Sequence, residues 1–541
     1  MRGTTKALVG AVALVMIAAA CSSNSSSGGG ATSASAGTQG GTYSFANCEP
    51  TSLIPQNNYE SCGSQVFEGI FTRLMTYDFT TGAPVPAQAE SVTPSSDGLV
   101  YTIVIKSGWT FHNGEPVTAQ SYVDAWNFAA DCTNGYILNT FFQRIEGYDD
   151  LNPADCKNVT TKEMSGLAVT DDTTFTVTLK APFSQFPTTL GFDAYNPLPT
   201  VFYDDPDAYN EQPIGDGPYM MDGKWKHDDT INLQRYPDYA GTPGNADKIL
   251  LPAYPVGGDA YWADFQAGNI DITAFGSAHL AEAQTSYADS MQRSSSSSFF
   301  FLGFPLYDSD FQSKELRQAL SMAVDRQAVM TAILINESPA DDLISPSILG
   351  YRQGACKYCT LDVAGAQQKL ADAGGWSGTL ELNIYADDPV LEQAAEAITN
   401  QWKTNLGIDA KINAIPYNTW YGNEIAKKFT GPWFLDGWVM DYPSMEDYLT
   451  PLYAANGAYA NTGYDNPQFE DLMKQGDEAL SIEASLPFYQ QADDIVLEDM
   501  PVIPWGYGNF NTVNLPTVTN VVKDGPLDVL ALELVQVVSP S

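Results

Sequence analysis

The sequence predicts an α/β protein built from more than one lobe, on three observations. The chain has 541 residues, far more than one hydrophobic core usually organises. Strand-like segments dominate its first half, and helical segments followed by strand-like ones dominate its second, a succession that favours helices layered on sheets. Hydrophobic residues make up 44% and charged residues 17% of the chain, the balance of a folded globular protein.

In chain order, Val100 to Lys106 is a β-branched and aromatic run that predicts a strand. Ser121 to Ala130 is a weaker helical pattern, with Val123, Trp126 and Phe128 as its apolar positions. Thr174 to Leu179 alternates polar and apolar residues, which puts one face of a strand in a core and the other in water. From Ser313 to Leu334, residues Leu316, Leu320, Ala323, Val324 and Ala328 recur at steps of one, three and four and predict a helix. Ser313 suits its N-cap and Glu315 its positive first turn. Asp362 to Ala373 predicts a second helix stopped by Gly374-Gly375, and Leu391 to Leu406 a third stopped by Gly407. Ile408 to Ile415 then alternates as a strand. No internal repeat of solenoid period is present.

The N-terminus carries charge first, at Arg2 and Lys6, and then an apolar run from Ala7 to Ala20. This is the layout of an export signal over residues 1–20. The run ends Ile17-Ala18-Ala19-Ala20-Cys21, which resembles the lipobox of bacterial lipoproteins, and the resemblance implies that Cys21 becomes a diacylated first residue. An ordinary secretory signal with an incidental cysteine is the alternative. Ser22 to Gly41 is almost entirely Ser, Gly, Ala and Thr and predicts a flexible tether with a mean reach of about 25 Å.

Six further cysteines, Cys48, Cys62, Cys132, Cys156, Cys356 and Cys359, form an even set in an exported chain and suggest disulfides. Neighbours in sequence give the pairs Cys48–Cys62, Cys132–Cys156 and Cys356–Cys359 as the natural choice among the 15 pairings that six cysteines allow. Cys356-Lys357-Tyr358-Cys359 also fits a redox motif or half of a zinc site.

The formal net charge of −40 repels nucleic acid and anionic lipid, so no nucleic-acid partner is expected. The three histidines, His112, His227 and His279, lack metal-ligand spacing. No H-E-x-x-H, G-x-S-x-G, Walker A or G-x-G-x-x-G motif occurs. No cofactor, metal or catalytic residue is therefore expected. A hydrolase using an unmarked carboxylate pair is the alternative from another class.

Several blocks together resemble the family 5 extracellular solute-binding proteins, which include oligopeptide- and dipeptide-binding proteins. They are Phe67-Glu68-Gly69-Ile70-Phe71, Pro86 to Ser91 with Asp97-Gly98 and Tyr101-Thr102, Trp109 to Ala119, Pro213-Ile214-Gly215-Asp216-Gly217-Pro218-Tyr219, Leu316 to Leu320 with Asp325-Arg326, Asn461 to Pro467, and Pro501-Val502-Ile503-Pro504. Each is weak alone; their order and spacing carry the resemblance, which runs from about Thr42 onward. Most read as structural: Gly98, Gly114 and Gly217 suit turns, His112 suits packing, and Arg317 and Arg326 suit internal carboxylates.

The segment singled out for ligand contact is Gly437-Trp438-Val439-Met440-Asp441-Tyr442. In peptide-binding members of the family, the aspartate of a similar W-x-x-D element pairs with the peptide's α-ammonium group, and Asp441 holds that position. A fixed carboxylate offsets the cost of taking a cationic amine out of water. Backbone near Trp438 and Met440 is expected to pair with a peptide main chain as an added strand. Trp420, Trp433, Trp438 and Tyr442 are candidates to line the pocket. Relatives can place arginines just before this element to meet the peptide carboxylate; here Lys427 and Lys428 are the candidates, without the planar bidentate geometry of arginine.

The resemblance implies a bilobed clamp of the periplasmic-binding-protein type, in its large form with an extra subdomain. One lobe is expected from about 42–67, 206–296 and 509–541, an inserted subdomain from 68–205, and the second lobe from 297–508. It implies a monomeric, lipid-anchored receptor on the outer face of the cytoplasmic membrane that delivers short peptides to an ABC permease. A sugar, an opine or a nickel chelate is the alternative solute, and signalling rather than nutrition the alternative role.

Overall fold

Two long strands, Gln292–Gly303 and Val502–Asn514, organise the molecule by pairing antiparallel from Gln292↔Thr512 to Gly303↔Val502. Neither shows simple alternation. The Val502–Asn514 strand is buried at 10 of its 13 positions, because it is covered on both faces, and such a strand needs no polar side. The computed structural model describes residues 39–538 apart from 59, 80, 160, 256–257, 336, 387, 456 and 458. The expected signal segment, Cys21 and the tether through residue 38 lie outside the described residues.

The two strands belong to a seven-stranded sheet whose order is Ile272–Ala274, Val502–Asn514, Gln292–Gly303, Trp433–Trp438, Leu380–Tyr385 and Ala410–Ile415, with Ser338–Pro339 also paired to Val502–Asn514. Leu380–Tyr385 and Ala410–Ile415 run parallel and are joined by the Pro389–Leu406 helix, a crossover unit that coats one face of the sheet. A four-stranded sheet of Thr42–Ser44, Lys248–Pro252, Thr230–Arg235 and Tyr219–Met221 lies in the first half. A second four-stranded sheet, wholly antiparallel, contains Ala89–Pro94, Val100–Ile105, Thr174–Thr178 and Leu167–Asp171.

One hydrophobic core unites both four-stranded sheets and the returning segment around Val518–Val535, and a second occupies the 299–507 region. The expected boundaries at 296/297 and 508/509 fall inside the two long strands, which therefore connect the halves. The boundary at 67/68 falls inside the Ser61–Ile70 helix, and segment 68–205 shares its core with Tyr43, Tyr219 and Ile249.

Most local elements match the sequence reading. Val100–Ile105 and Thr174–Thr178 alternate half-buried and buried positions, and Ala119–Ala130 forms a helix two residues longer than expected at its start. Asp362 caps the Val363–Asp372 helix, and Gly407 ends the Pro389–Leu406 helix in the left-handed region. The run from Ser313 is a correction: it forms two helices, Lys314–Met322 and Arg326–Ala332. Asp325 breaks it by accepting from the Ala328 N–H as a new N-cap. Its own N–H donates to Gln401.

The signature blocks bind one another. His112 donates from its backbone to the Gly215 carbonyl at 2.8 Å. Its ring accepts from the Gly215 N–H and reaches the Gly217 carbonyl, each at 3.2 Å. Gly217 in turn donates to the Ile70 carbonyl at 2.9 Å. The glycine is required by crowding, since a Cβ there would lie 2.6 Å from the Ile70 carbonyl carbon. Gly114 instead needs its positive φ of 83°. Arg317 and Arg326 depart from expectation: they donate to backbone carbonyls rather than carboxylates. Arg317 takes those of Phe311, Asp499 and Met500, and Arg326 that of Pro504. Arg317 thereby satisfies carbonyls at the end of the Ile482–Asp499 helix. Disulfides join Cys48 to Cys62, Cys132 to Cys156 and Cys356 to Cys359. No helix among the described residues is long and apolar enough to cross a membrane.

Candidate ligand-binding cleft

The W-x-x-D element begins on the Trp433–Trp438 strand and ends where Ser444 caps the Met445–Tyr453 helix. The strand's pairing is one-sided near its end. Phe299↔Trp438, Phe300↔Gly437 and Phe301↔Asp436 hold it to the long strand, whereas Leu380–Tyr385 meets it only at Asn383↔Trp433. Beyond Trp433, among the described residues, that second edge has no strand neighbour, the arrangement an added strand requires.

Asp441 lies where two cavities meet. A cavity of about 190 Å³ is lined from the first half by Asn58, Glu60, Arg73 and Asp193, from the long strand by Ser297, and from the element by Val439, Met440 and Asp441. A larger one of about 500 Å³ is lined by Phe141, Arg144 and Phe183 on one side and by Trp438, Asp441, Tyr442, Glu446 and Asp447 on the other. Among the described residues, Asp441 alone lines both. Each cavity thus lies between residues of the first core and residues of the second, which is where a clamp holds its ligand.

Carboxylates outnumber cations in this cleft, and its two arginines are already engaged. Arg73 sits 2.7 Å from Glu68, 3.1 Å from Asp193 and 3.7 Å from Asp524. Burial opposes its charge, but those three carboxylates outweigh burial and raise its pKa. Arg144 pairs with Glu446 at 2.9 Å and Asp477 at 3.5 Å, and its guanidinium lies 3.7 Å from the centre of the Phe183 ring. Tyr442 donates to Glu446. Asp447 is 2% exposed and accepts from the Asp441 backbone N–H at 2.8 Å and the Trp438 indole at 3.3 Å. Burial first, and then the Asp441 charge, push its carboxyl well above the usual range. A cleft so balanced favours a ligand that brings positive charge.

The structure separates the candidate residues into two groups. Trp438, Met440, Asp441 and Tyr442 line the cavities, whereas Gly437, one residue before Trp438 on the strand, lines neither. Trp438 also packs edge-on to Tyr459 at 5.2 Å in the wall of the larger one. Trp420 and Trp433 line neither; both are buried with Phe429 in a separate small core. Trp433 fills the space above Gly303, where a Cβ would lie 2.4 Å from its ring. Lys427 and Lys428 are exposed beyond the Tyr417–Ile425 helix and line neither cavity. The cations that do face the cleft, Arg73 and Arg144, were not singled out by sequence. Arg144 is a charge within the apolar run Phe141-Phe142-Gln143-Arg144-Ile145, and that contrast is the signal that marks it. Among the described residues no group of three or more His, Cys, Asp or Glu could hold a metal ion.

Comparison with known proteins follows the same lines. The model of the bacterial extracellular solute-binding proteins, family 5 Middle, matches residues 83–460. Dipeptide-binding protein DppE of Bacillus subtilis (strain 168) is 26% identical over 486 residues, covering 86% of each chain. Oligopeptide-binding protein OppA of the same organism is 25% identical over 489 residues, 84% of this chain and 85% of that one. The unliganded open form of the periplasmic murein tripeptide binding protein MppA superposes with a TM-score of 0.82 at 20% identity. It covers 94% of this chain and 99% of that one. The fold is thus the large α/β clamp of periplasmic binding proteins.

Proposed function

The chain belongs to the bacterial extracellular solute-binding proteins, family 5, and from that premise we propose that it captures short peptides in its cleft and delivers them to an ABC-type permease. The observation that carries the peptide reading is the place of Asp441, on the wall common to both cavities and three residues after a strand whose second edge, beyond Trp433, has no strand neighbour among the described residues. An α-ammonium group at Asp441 would leave one chamber for the first side chain and the other for the chain running on. The strand edge would take main-chain hydrogen bonds without reading side chains. The ligand classes named for DppE and OppA support the same reading. Capture needs no covalent step. Ligand would shift the molecule toward its closed form only by its differential affinity for that form, and the closed form is what a permease would recognise.

Two further parts of the proposal rest on the N-terminus. Cys21, diacylated, would hold a monomeric receptor at the outer face of the cytoplasmic membrane, since two acyl chains suffice for stable anchoring. Cys21→Ala should move the protein from the membrane fraction to the soluble one; full retention would count against lipidation.

Native mass spectrometry of the purified protein is the decisive experiment for the ligand. A ladder of co-purified peptide masses is expected, and a single sugar or metal chelate would sink the reading. Free trialanine should also bind more tightly than N-acetyl-trialanine, and equal affinities would remove Asp441 as the ammonium contact.

A further inference from the structure

We propose that Asp447 is the positioning residue of the ligand anchor, holding Asp441 and Trp438 in the geometry that presents the Asp441 carboxylate to an incoming amine. This rests on the reading of Asp441 as the ammonium contact. One oxygen of Asp447 accepts from both ends of the turn that carries the anchor, the Trp438 indole N–H at 3.3 Å and the Asp441 backbone N–H at 2.8 Å. The turn therefore hangs from a side chain on the helix that follows it. That helix is fixed at its start by Ser444, whose hydroxyl accepts from Glu446 at 3.1 Å and donates to Gln185 at 3.0 Å. Gln185 belongs to the first half of the chain and also donates to Ser485 at 2.8 Å. Of the two residues between the tethered pair, Val439 is 57% exposed and Met440 packs in the second core, so the turn is held by Met440 and by these two hydrogen bonds together.

The chemistry favours a neutral acceptor. Asp447 is 2% exposed, and burial followed by the Asp441 charge keeps its carboxyl protonated well above the usual range. As a neutral group it receives two N–H donors without setting a second negative charge behind Asp441. Asparagine carries the same acceptor oxygen on a side chain of the same shape, whereas alanine leaves both donors without it.

A first-turn aspartate also favours its own helix whatever the ligand, so the test reads selectivity rather than affinity alone. Titration calorimetry would measure trialanine and N-acetyl-trialanine against the wild type, Asp447→Asn and Asp447→Ala. The wild-type preference for the free amine is expected to be about tenfold or more, a gap set by one charged contact. Asp447→Asn should keep that preference within about threefold, and Asp447→Ala should bring it close to one. A folded Asp447→Ala that keeps the preference, or an Asn variant as damaged as the Ala variant, overturns the positioning role and leaves Asp441 as the anchor. No preference in the wild type removes the anchor and this proposal with it.

Should Asp447→Ala fail to fold, nuclear magnetic resonance on the wild type decides the matter. The Asp441 amide and Trp438 indole signals should shift together with one midpoint as pH changes, and Asp447→Asn should abolish that shared shift. Asp441, Glu446, Tyr77, Tyr442 and Tyr448 are the other titratable groups whose charges act on Asp447 or feel it, and they remain in the Asn variant. Independent midpoints, or a shared shift that survives in Asp447→Asn, overturn the proposal.

Discussion

The knot around His112 and Gly217 and the turn around Trp438 and Asp441 are both dense in polar groups, but those groups face different things. In the knot their partners are protein atoms: His112, on the wall of a separate cavity of about 410 Å³, has its ring nitrogens on Gly215 and Gly217, and Asp216 accepts from Thr72 at 3.0 Å and Gln88 at 2.7 Å. In the turn, the backbone is tied back to Asp447 while the Asp441 side chain borders two cavities. In the first arrangement the hydrogen bonds close on the protein itself, whereas the second, tied by its backbone and by the Trp438 indole, sets a carboxylate on the wall of both cavities. A signature rich in histidine, aspartate and glycine is therefore no sign of a binding site until the partners of its polar atoms are known.

The sharpest way to break that contrast is to damage the knot and look for an effect on ligand. Gly217→Ala would place a methyl group 2.6 Å from backbone atoms of Ile70 and Phe71, where nothing flexible can yield. It should cost about 3 kcal/mol of stability, near the upper end for overpacking, visible as a lower urea midpoint at unchanged slope. The preference for free over acetylated peptide should not change. A stable Gly217→Ala, or one with altered selectivity, would mean that the knot is not only scaffold.

The opposite result is expected at the turn. Asp441→Asn should weaken binding of free trialanine by about 1.5–3 kcal/mol, the range for a hydrogen bond to a charged group, with the urea midpoint nearly unchanged. Isothermal titration and denaturation on one preparation compare the two directly. Lost stability with intact affinity would move Asp441 into the scaffold class.

Asp216 sharpens the comparison through pH. Burial raises its pKa to about 7 from the ordinary 3.8, so the folded protein prefers the neutral acid. Its contribution to stability is full below pH 3.8 and is lost as pH rises through about 7, at no more than about 1.4 kcal/mol per unit. Asp216→Asn has no such loss. Its amide can donate to the buried Gln88 Oε1, which has no hydrogen-bond partner. The variant should gain on the wild type between pH 4 and 7, by about 1–3 kcal/mol in all. His112 titrates in the same window with the opposite sign, since burial lowers its pKa to about 4, but it is present in both proteins and cancels from their difference. A pH-independent difference would show that Asp216 is ionised in its buried site.

How far the sequence reveals these two regions follows from what each depends on. Period-two alternation at Thr174–Thr178 and the Asp362 and Gly407 helix signals depend on neighbours within a few residues, and they are legible. The break at Asp325 is not, because a capping aspartate and a mid-helix aspartate look alike without knowledge of Gln401. The Val502–Asn514 strand escapes the pattern because burial on both faces removes the alternation that marks a strand, and Gln292–Gly303 escapes it because its exposed, serine-rich start runs into a buried apolar end. At the cleft, the position of Asp441 is legible through family likeness, but its surroundings come from residues hundreds of positions away. Arg73 and Arg144 reach the cleft only because the first core folds against the second, and Trp433 leaves it because Gly303 opens a space behind the sheet.

The smallest effect is expected at the lysines that precede the element. Lys427 and Lys428 are close to Asp441 in sequence, but both are exposed and neither borders either cavity of the cleft. Lys427→Gln/Lys428→Gln should change trialanine affinity and stability by less than about 0.5 kcal/mol each, as for exposed residues without partners. Arg144→Gln in the same assay should do more, because it leaves Glu446, which is 1% exposed, without its cation. If the lysine pair mattered and Arg144 did not, the peptide carboxylate would lie toward the Tyr417–Ile425 helix, and the ligand would have to run past Trp438 to reach it. With the ranking reversed, as the geometry has it, charge on the ligand's far end is met inside the larger cavity or not at all. C-terminally amidated trialanine separates these cases, since only a met carboxylate loses affinity on amidation.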